Sequence, residues 1–542
     1  MASLRNLCRI ESCIVTKDSK QTARFAAIFA GGTLISRILG LVRDAVLAAF
    51  VTDSSRDAFL VAFRLPNMLR DLVGEGAVNA AFVPVYSETL EKKSEEEFRE
   101  LVQVCMGAMI VVLGVLTVLG ILIVPAMLDS IGLLKTITGG EPLTDEYLAQ
   151  LVGLGRWLFP YLFFIGLSVF AMGVLFSVGH YSTPSWSPAL LNIAIIICCA
   201  GFYDHFAEPM YALVLGVWLG GIAQLIANYA ALVRHTGVVT PRFNFRHPQL
   251  MTIAALLGPV IIGQSAGEVN KLVDALFAAA LADGSVSALY YANRLVQLPL
   301  ALFGLGVAAA LLPSASRASA RKKKGEVREL LLKGLRQSFF LIAPAALGLA
   351  ILGEPIVRLL FEYGEFTSAN TQQAGTALTI LAAGLISFAG VRVAVTGFFA
   401  AKDTRTPVII SACSMGVNIL LNFVLVGPLG FRGLALGTTL AYTVNFVAIY
   451  YLLGKKYGNL WDAPFITAVT RIAISTAAMG AVAYVSFVQT ASVFSTDDLI
   501  ARFATVVIPI SAACIAYATM SLVLGVDEFN DFASALRRRR QK

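Results

Sequence analysis

Charge is what this chain has least of. Only 14% of its 542 residues are Asp, Glu, Lys or Arg, against 57% hydrophobic residues, and mean hydropathy is +0.75. A soluble protein of this length carries about 25% charged residues, so a soluble globular fold is excluded. Histidine is scarce too: His180, His205, His235 and His247 all fall at the ends of apolar runs or in loops. The seven cysteines lie mostly inside apolar runs, with neither metal-ligand spacing nor a disulfide framework. A phosphate-binding GxxxxGK[ST] loop is missing, so ATP is not the expected driver and nothing supports an enzyme. The alternating pattern of an outer-membrane barrel is missing as well. Residues 1–24 lack an apolar core followed by a small-residue cleavage site, so they read as a cytoplasmic extension rather than a signal peptide.

What is present is a succession of apolar runs of about 20 residues, each long enough to cross a bilayer as a helix. We count about fourteen, near 25–50, 57–88, 101–130, 149–179, 185–203, 209–233, 250–281, 286–315, 329–352, 370–400, 406–427, 432–454, 464–487 and 499–524. The expected fold class is an all-α polytopic membrane protein. Its expected parts are a cytoplasmic extension (1–24), an N-lobe (25–234), a C-lobe (250–454), two further helices (464–524) and a basic cytoplasmic tail (525–542). Alternate loops, such as EKKSEEEFRE, SRASARKKKGEVRE and GKKYG, are rich in Lys and Arg, while those between are short, acidic or neutral. This asymmetry puts both termini in the cytoplasm. The net charge of +8 therefore reports orientation and contact with membrane lipids, not nucleic-acid binding.

The stretch from Gly31 to Glu88 is apolar enough for two spans, yet it holds Arg37, Arg43, Asp44, Arg64, Arg70, Asp71 and Glu75. An ionisable group at membrane depth costs roughly 2.5–3.5 kcal/mol on insertion scales, so it normally faces a bundle interior or an aqueous cavity. Part of the stretch repeats: shifted by 230 positions, RDAFLVAFRL (56–65) falls on VSALYYANRL (286–295), and Asp44 meets Asp274. At a shift of 229, Pro84 meets Pro313 and Ser87 meets Ser316. An even number of spans separates the matched elements, so the two six-helix lobes form a parallel pseudo-repeat, with a binding site expected between the halves. The last two helices stand outside it.

Arg37 and Asp44, seven apart, share a helix face, and Arg43 lies about 120° round from Arg37. The bland reading is a structural salt bridge from Arg37 or Arg43 to Asp44 or Glu75, but arginines outnumber the nearby acids. Arg56 reads as an interfacial residue. In the second span, Pro66, Gly74 and Gly76 suggest a kink beside Arg70 and Glu75. In the seventh, Lys271 is spaced to pair with Glu268 and Asn270 with Asp274. Arg294 is the counterpart of Arg64. Guanidinium groups stay charged and grip phosphate oxygens in pairs, so such a set suits a diphosphate better than a monocarboxylate. Asn418, Asn422 and Thr438, with a buried carboxylate, make either an all-oxygen shell for a hard cation or ordinary helix–helix hydrogen bonds.

The stretches SRILGLVRDAVLAAF, TDSSRDAFLVAFRLPNMLRDLVGEGAVNAAFVPVYSE, GSVSALYYANRLVQLP and LGVAAALLPSAS resemble the MurJ (MviN) lipid II flippases of the multidrug/oligosaccharidyl-lipid/polysaccharide exporter superfamily. The resemblance covers residues 25 to 525. It implies two six-helix lobes and two extra helices forming a groove for a lipid tail. It implies movement of an undecaprenyl-pyrophosphate-linked precursor, lipid II, across the bacterial inner membrane by alternating access, with the protein acting as a monomer. Carried over residue by residue, it makes Arg37, Arg43, Arg70 and Arg294 the cavity arginines and Asp44, Asp57 and Glu75 their acidic companions. It implies a sodium site at Asp274, Asn418, Asn422, Leu434 (through its carbonyl) and Thr438, with Na⁺ as a coupling ion and no other cofactor. Asn422 stands where the family also uses Asp, and Arg294 is flanked by Asn293 and Gln297 rather than acids. The alternatives are a cation-coupled small-molecule exporter of the same superfamily and a non-transporting scaffold for cell-wall assembly.

Overall fold

The structure, a computed structural model, describes residues 28, 31–72, 81–137, 145–206, 208–494, 498–531 and 534. The expectations for residues 1–24, for Glu75 and for the end of the basic tail lie outside the described residues. Among the described residues the chain is helical, without a β-strand. An all-helical answer follows from the solvent: hydrocarbon cannot satisfy backbone N–H and C=O groups, so each span must satisfy its own.

Among the described residues ten helices are long and apolar enough to cross a membrane, and a bent pair makes an eleventh. The other three expected spans, 25–50, 57–88 and 250–281, are not among them; the first two run over residues outside the described ones, and of the third Pro248–Ile261 is a shorter apolar helix. The lipid-facing surface is apolar, as Leu122 (67% exposed) and Val523 (75% exposed) illustrate.

The chain divides into two compact units. The first comprises residues up to Val51, Ala58–Ser130 and Leu143–Glu268; the second comprises Thr52–Asp57, Ile131–Pro142 and Val269 onward. The first unit contains α1 (31–50), most of α2 (Asp53–Asp71) and α3 (Val83–Lys92). It continues with most of α4 (Glu95–Ile137), then α5 (Asp145–Leu158), α6 (Pro160–Ser177), α7 (Ser182–Trp186), α8 (Pro188–Phe202) and α9 (Met210–Thr236). α10 (Pro248–Ala279) is divided between the units at Glu268 and Val269.

The core of the first unit joins Phe82, Tyr86, Phe98, Leu101 and Leu113 to Leu162, Phe170 and Val174. α8 and α9 pack backbone to backbone: a Cβ at Gly216 would lie 2.9 Å from Ile195 Cα, and one at Gly220 would lie 2.7 Å from Leu191 Cα. Small residues at such positions are how membrane helices gain close van der Waals contact where hydrophobic transfer supplies nothing. Pro160 and Pro188 each open a helix, where a missing N–H costs nothing.

The second unit contains α11 (Ser285–Pro299), α12 (Leu305–Ala320), α13 (Lys324–Phe361), α14 (Ser368–Ala383) and α15 (Leu385–Ala400). It ends with α16 (Arg405–Leu429), α17 (Phe431–Tyr457), α18 (Ala463–Val493) and α19 (Leu499–Val523). Between α11 and α12 the chain makes a π-turn, Leu300–Gly304, just after Pro299. The expected span at 370–400 is α14 and α15, bent by 41° at Gly384. α18 and α19 pack on each other and on α13, where Tyr517 donates to the Phe340 carbonyl at 2.7 Å.

Candidate functional site

In the first unit, α1 carries Arg37, Arg43 and Asp44. Asp44 is fully buried and accepts from Arg43 Nη2 at 2.6 Å and from Nε at 3.0 Å. Of the pairings open in the sequence, Arg43 with Asp44 is therefore one that forms. Arg37 is exposed and makes no hydrogen bond or ion pair among the described residues. α1 is held against its neighbours by Asn192 of α8, whose amide donates to the Ser36 carbonyl at 3.1 Å.

On α2, Pro66 is accommodated within an unbroken helix, while Gly74 and Gly76 lie outside the described residues. Arg70 Nη2 donates to Asp71 Oδ1 at 2.6 Å. The buried Tyr161 hydroxyl of α6 sits in the field of Arg70, Asp71 and Arg43, so α1 and α2 bring two of the expected arginines to one place. Arg64 lies 4.0 Å from Glu268 of α10.

In the second unit, the start of α2 is bound to the start of α11. Asp57 Oδ2 accepts from the Gly284 N–H and Oδ1 from the Ser287 N–H, each at 2.8 Å, and Oδ1 also accepts from the Ser287 hydroxyl. Gly284, with φ +86°, occupies the N-cap of α11 in a left-handed conformation that favours glycine. A glycine brings no capping side chain, so Asp57 supplies the cap from elsewhere in the sequence, its charge facing the positive end of the helix.

Arg56 corrects the sequence reading. It is not an interfacial residue: it is 1% exposed and donates to Ser287 Oγ at 3.0 Å. It also pairs with Asp53 and lies 5.0 Å from the ring centre of Phe366. Asp53 in turn accepts from the Asn370 amide at 2.8 Å. The TDSSRD sequence around it is loop-like. The acid on either side of Arg56 was the one available signal.

Arg294 is half-buried on α11, on which Tyr291, Ala292 and Leu295 are buried. A second intramembrane arginine, Arg392 on α15, escaped the sequence reading; its Cδ lies 3.8 Å from where a Cβ on Gly304 would be, beside the π-turn.

The expected metal ligands also gather. Asp274 Oδ1 accepts from the amides of Asn418 at 2.8 Å and Asn422 at 2.6 Å, and Thr438 Oγ1 reaches Oδ2 at 3.4 Å. Asn270 joins through Asp274 at 3.4 Å and Asn418 at 3.0 Å. Leu434 is buried one turn before Thr438. Asn418 Oδ1 and Asn422 Oδ1 are buried without a hydrogen-bond partner. Orphaned oxygens beside a carboxylate, with no nitrogen or sulfur ligand, suit a hard monovalent cation. Gly437 leaves the room, since a Cβ there would stand 2.7 Å from Asn422 Oδ1. No group of three His, Cys, Asp or Glu is placed to hold a metal among the described residues, so a zinc-type centre has no counterpart there.

Known proteins share this architecture. A solved structure described as lipid II flippase MurJ in an inward closed conformation superposes with a TM-score of 0.75 at 25% identity, covering 92% of this chain and 99% of that one. An inward-facing multidrug MATE transporter gives 0.66 at 14% identity, covering 80% of this chain and 98% of the other, which shows the fold alone. The probable lipid II flippase MurJ of Vibrio cholerae is 34% identical over 80% of this chain and 83% of its own length. That of Bdellovibrio bacteriovorus is 31% identical over 96% and 98%. The family model described as "Lipid II flippase MurJ" matches residues 46–518, and with these relatives it shows that the chain belongs to the MurJ family of lipid II flippases.

Proposed function

We propose that this protein, a multi-pass protein of the bacterial inner membrane, moves lipid II from the cytoplasmic to the periplasmic leaflet by alternating access and so serves peptidoglycan synthesis. The observation that carries this reading is the placement of Arg43 and Arg70 about the buried Tyr161, with Arg37 exposed on the same helix as Arg43. Cations at membrane depth are retained where an anion needs them, and a lipid-linked pyrophosphate presents two phosphoryl groups to paired guanidinium donors. The substrate-binding set is Arg37, Arg43, Arg70 and Arg294 with Asp44, Asp57 and Glu75. Asp44 orients Arg43, and Asp57 holds the start of α11, the helix that carries Arg294. Movement between two states needs a ligand that favours one of them, and release of the Asp57 cap is the local change that would free α11.

Asp274, Asn418, Asn422, Thr438 and the Leu434 carbonyl would hold Na⁺. Bound there, the ion would supply positive charge beside Asp274 and bias the second unit toward one arrangement. The Lys and Arg bias of alternate loops supports cytoplasmic termini. We take the working unit as a monomer. The exporter alternative rests on the shared fold alone.

The test is complementation of a strain depleted of its own lipid II flippase, with native mass spectrometry of lipid II binding. Arg43→Ala and Arg294→Ala are expected to abolish growth and weaken lipid II retention at unchanged protein level. Normal growth of both variants would overturn the assignment of these residues.

A further inference from the structure

The second unit holds a cavity that plays no part in the reading above. Its volume is about 330 Å³, and it lies where α18 begins and α19 ends. Arg336 of α13, Thr467 and Arg471 of α18, and Asp527 and Glu528 just past α19 line it. The neighbouring surface is that of a membrane boundary. Trp461 is 63% exposed just before α18, a position typical of an interfacial anchor, and Ile466 of α18 and Leu522 of α19 are exposed apolar residues.

The lining is unusual in charge. It brings two guanidinium groups and two carboxylates together, for a formal sum of zero. Glu528 is only 6% exposed, yet its Oε2 has no hydrogen-bond partner. Its Oε1 stands 3.2 Å from Arg336 Nε, an ion pair that lacks the alignment of a hydrogen bond, since Arg336 Nε is also without a partner. Arg471 spends one N–H on the Gly525 carbonyl at 2.9 Å, leaving the rest of its fork open. By contrast, Asp462 at the α18 N-cap is fully engaged: it accepts from the Phe465 N–H at 2.8 Å and from Arg328 at 2.7 Å. The helix N-terminus is thus already satisfied, and the open valences belong to the cavity.

A buried carboxylate oxygen without a donor is costly, and a donor that brings its own positive charge relieves it best. An anion alone would meet Asp527 and Glu528. A cation alone would meet Arg336 and Arg471. A ligand bearing both charges a few atoms apart satisfies all four. We propose that this cavity binds the headgroup of a zwitterionic phospholipid, phosphatidylethanolamine, with its phosphate on Arg471 and Arg336. Its ammonium rests on Glu528 and Asp527, and its acyl chains lie along the exposed apolar sides of α18 and α19. The bound lipid would brace the α18–α19 pair against α13 by a contact separate from the arginines of α1, α2 and α11.

The experiment uses the full chain in nanodiscs of equal phosphatidylethanolamine and phosphatidylglycerol, with native mass spectrometry of the lipids retained on release. The wild type is expected to retain phosphatidylethanolamine in preference. Asp527→Asn leaves the Arg336–Glu528 pair in place and is expected to cut that preference several-fold. Glu528→Gln, close to the same shape, removes the buried charge and should cut it about tenfold, the loss of one charge-assisted hydrogen bond. Arg471→Gln should lower retention of both lipids. An unchanged preference in Asp527→Asn and Glu528→Gln, with melting temperatures near wild type, would show that the Arg336–Glu528 ion pair serves only to tether the segment after α19 and would overturn the proposal.

Discussion

Replacing Asp57 by Ala should unfasten the first turn of α11 without unfolding the rest of the second unit. The carboxylate accepts the Gly284 and Ser287 amides at 2.8 Å each, in a buried setting. Hydrogen bonds to a charged acceptor contribute about 1.5–3 kcal/mol each. Taking the low end for two bonds gives about 3 kcal/mol of local stability, or roughly a hundredfold in the opening equilibrium. Alanine also leaves Arg56 beside an uncapped helix end, which adds to the loss. The assay is amide hydrogen exchange by mass spectrometry on the peptide that spans residues 282–290. Gly284 and Ser287 should exchange roughly a hundredfold faster in Asp57→Ala, while the core of α13 stays protected. Asp57→Asn keeps one acceptor oxygen but turns an amide N–H toward the other donor, so its effect should fall between alanine and wild type. Exchange at both amides within about threefold of wild type would refute the capping role, because two buried charge-assisted bonds cannot be lost at so small a cost.

Further outcomes follow from other contacts. Na⁺, but not K⁺ or choline at equal ionic strength, should raise the melting temperature of the wild type, and Asp274→Asn should abolish that difference; a sodium effect that survives in the variant would remove Asp274 from the site. Gly220→Ala places a methyl 2.7 Å from Leu191 Cα, against backbone that cannot swing away; it should cost about 1–3 kcal/mol, read as a lower melting temperature. Outside the spans, the Lys456 ammonium 2.9 Å from Asp403 holds that carboxyl below its ordinary 3.8. A depressed folded value gives stability that is present above the unfolded value and is lost as pH falls through the folded one. Asp403→Asn should therefore melt below wild type at neutral pH and converge with it in strong acid, and a gap that persists unchanged there would refute the ion pair as its source.

Much of this protein was legible one segment at a time. The length of an apolar run and the cost of charge in hydrocarbon are local properties, so the membrane class, the helical fold and the anomaly at Arg37, Arg43 and Arg70 could be read directly. The repeat singled out Arg294 in the same way, and oxygen-bearing side chains at Asn418, Asn422 and Thr438 stood out against their apolar surroundings.

Pairing was different, because it depends on which helices become neighbours. Arg64 stands 4.0 Å from Glu268, far along the chain. Arg56 looked like a surface residue because its own segment is polar; it is buried because residues far along the chain, Ser287 and Phe366, close over it. The cap that Asp57 provides joins residues 227 positions apart. Composition and periodicity thus determined the kind of protein and where its charges sit, since both follow from transfer energies of short segments. Only the tertiary structure decided which charges meet, because a partner's distance in space has no fixed relation to its distance along the chain.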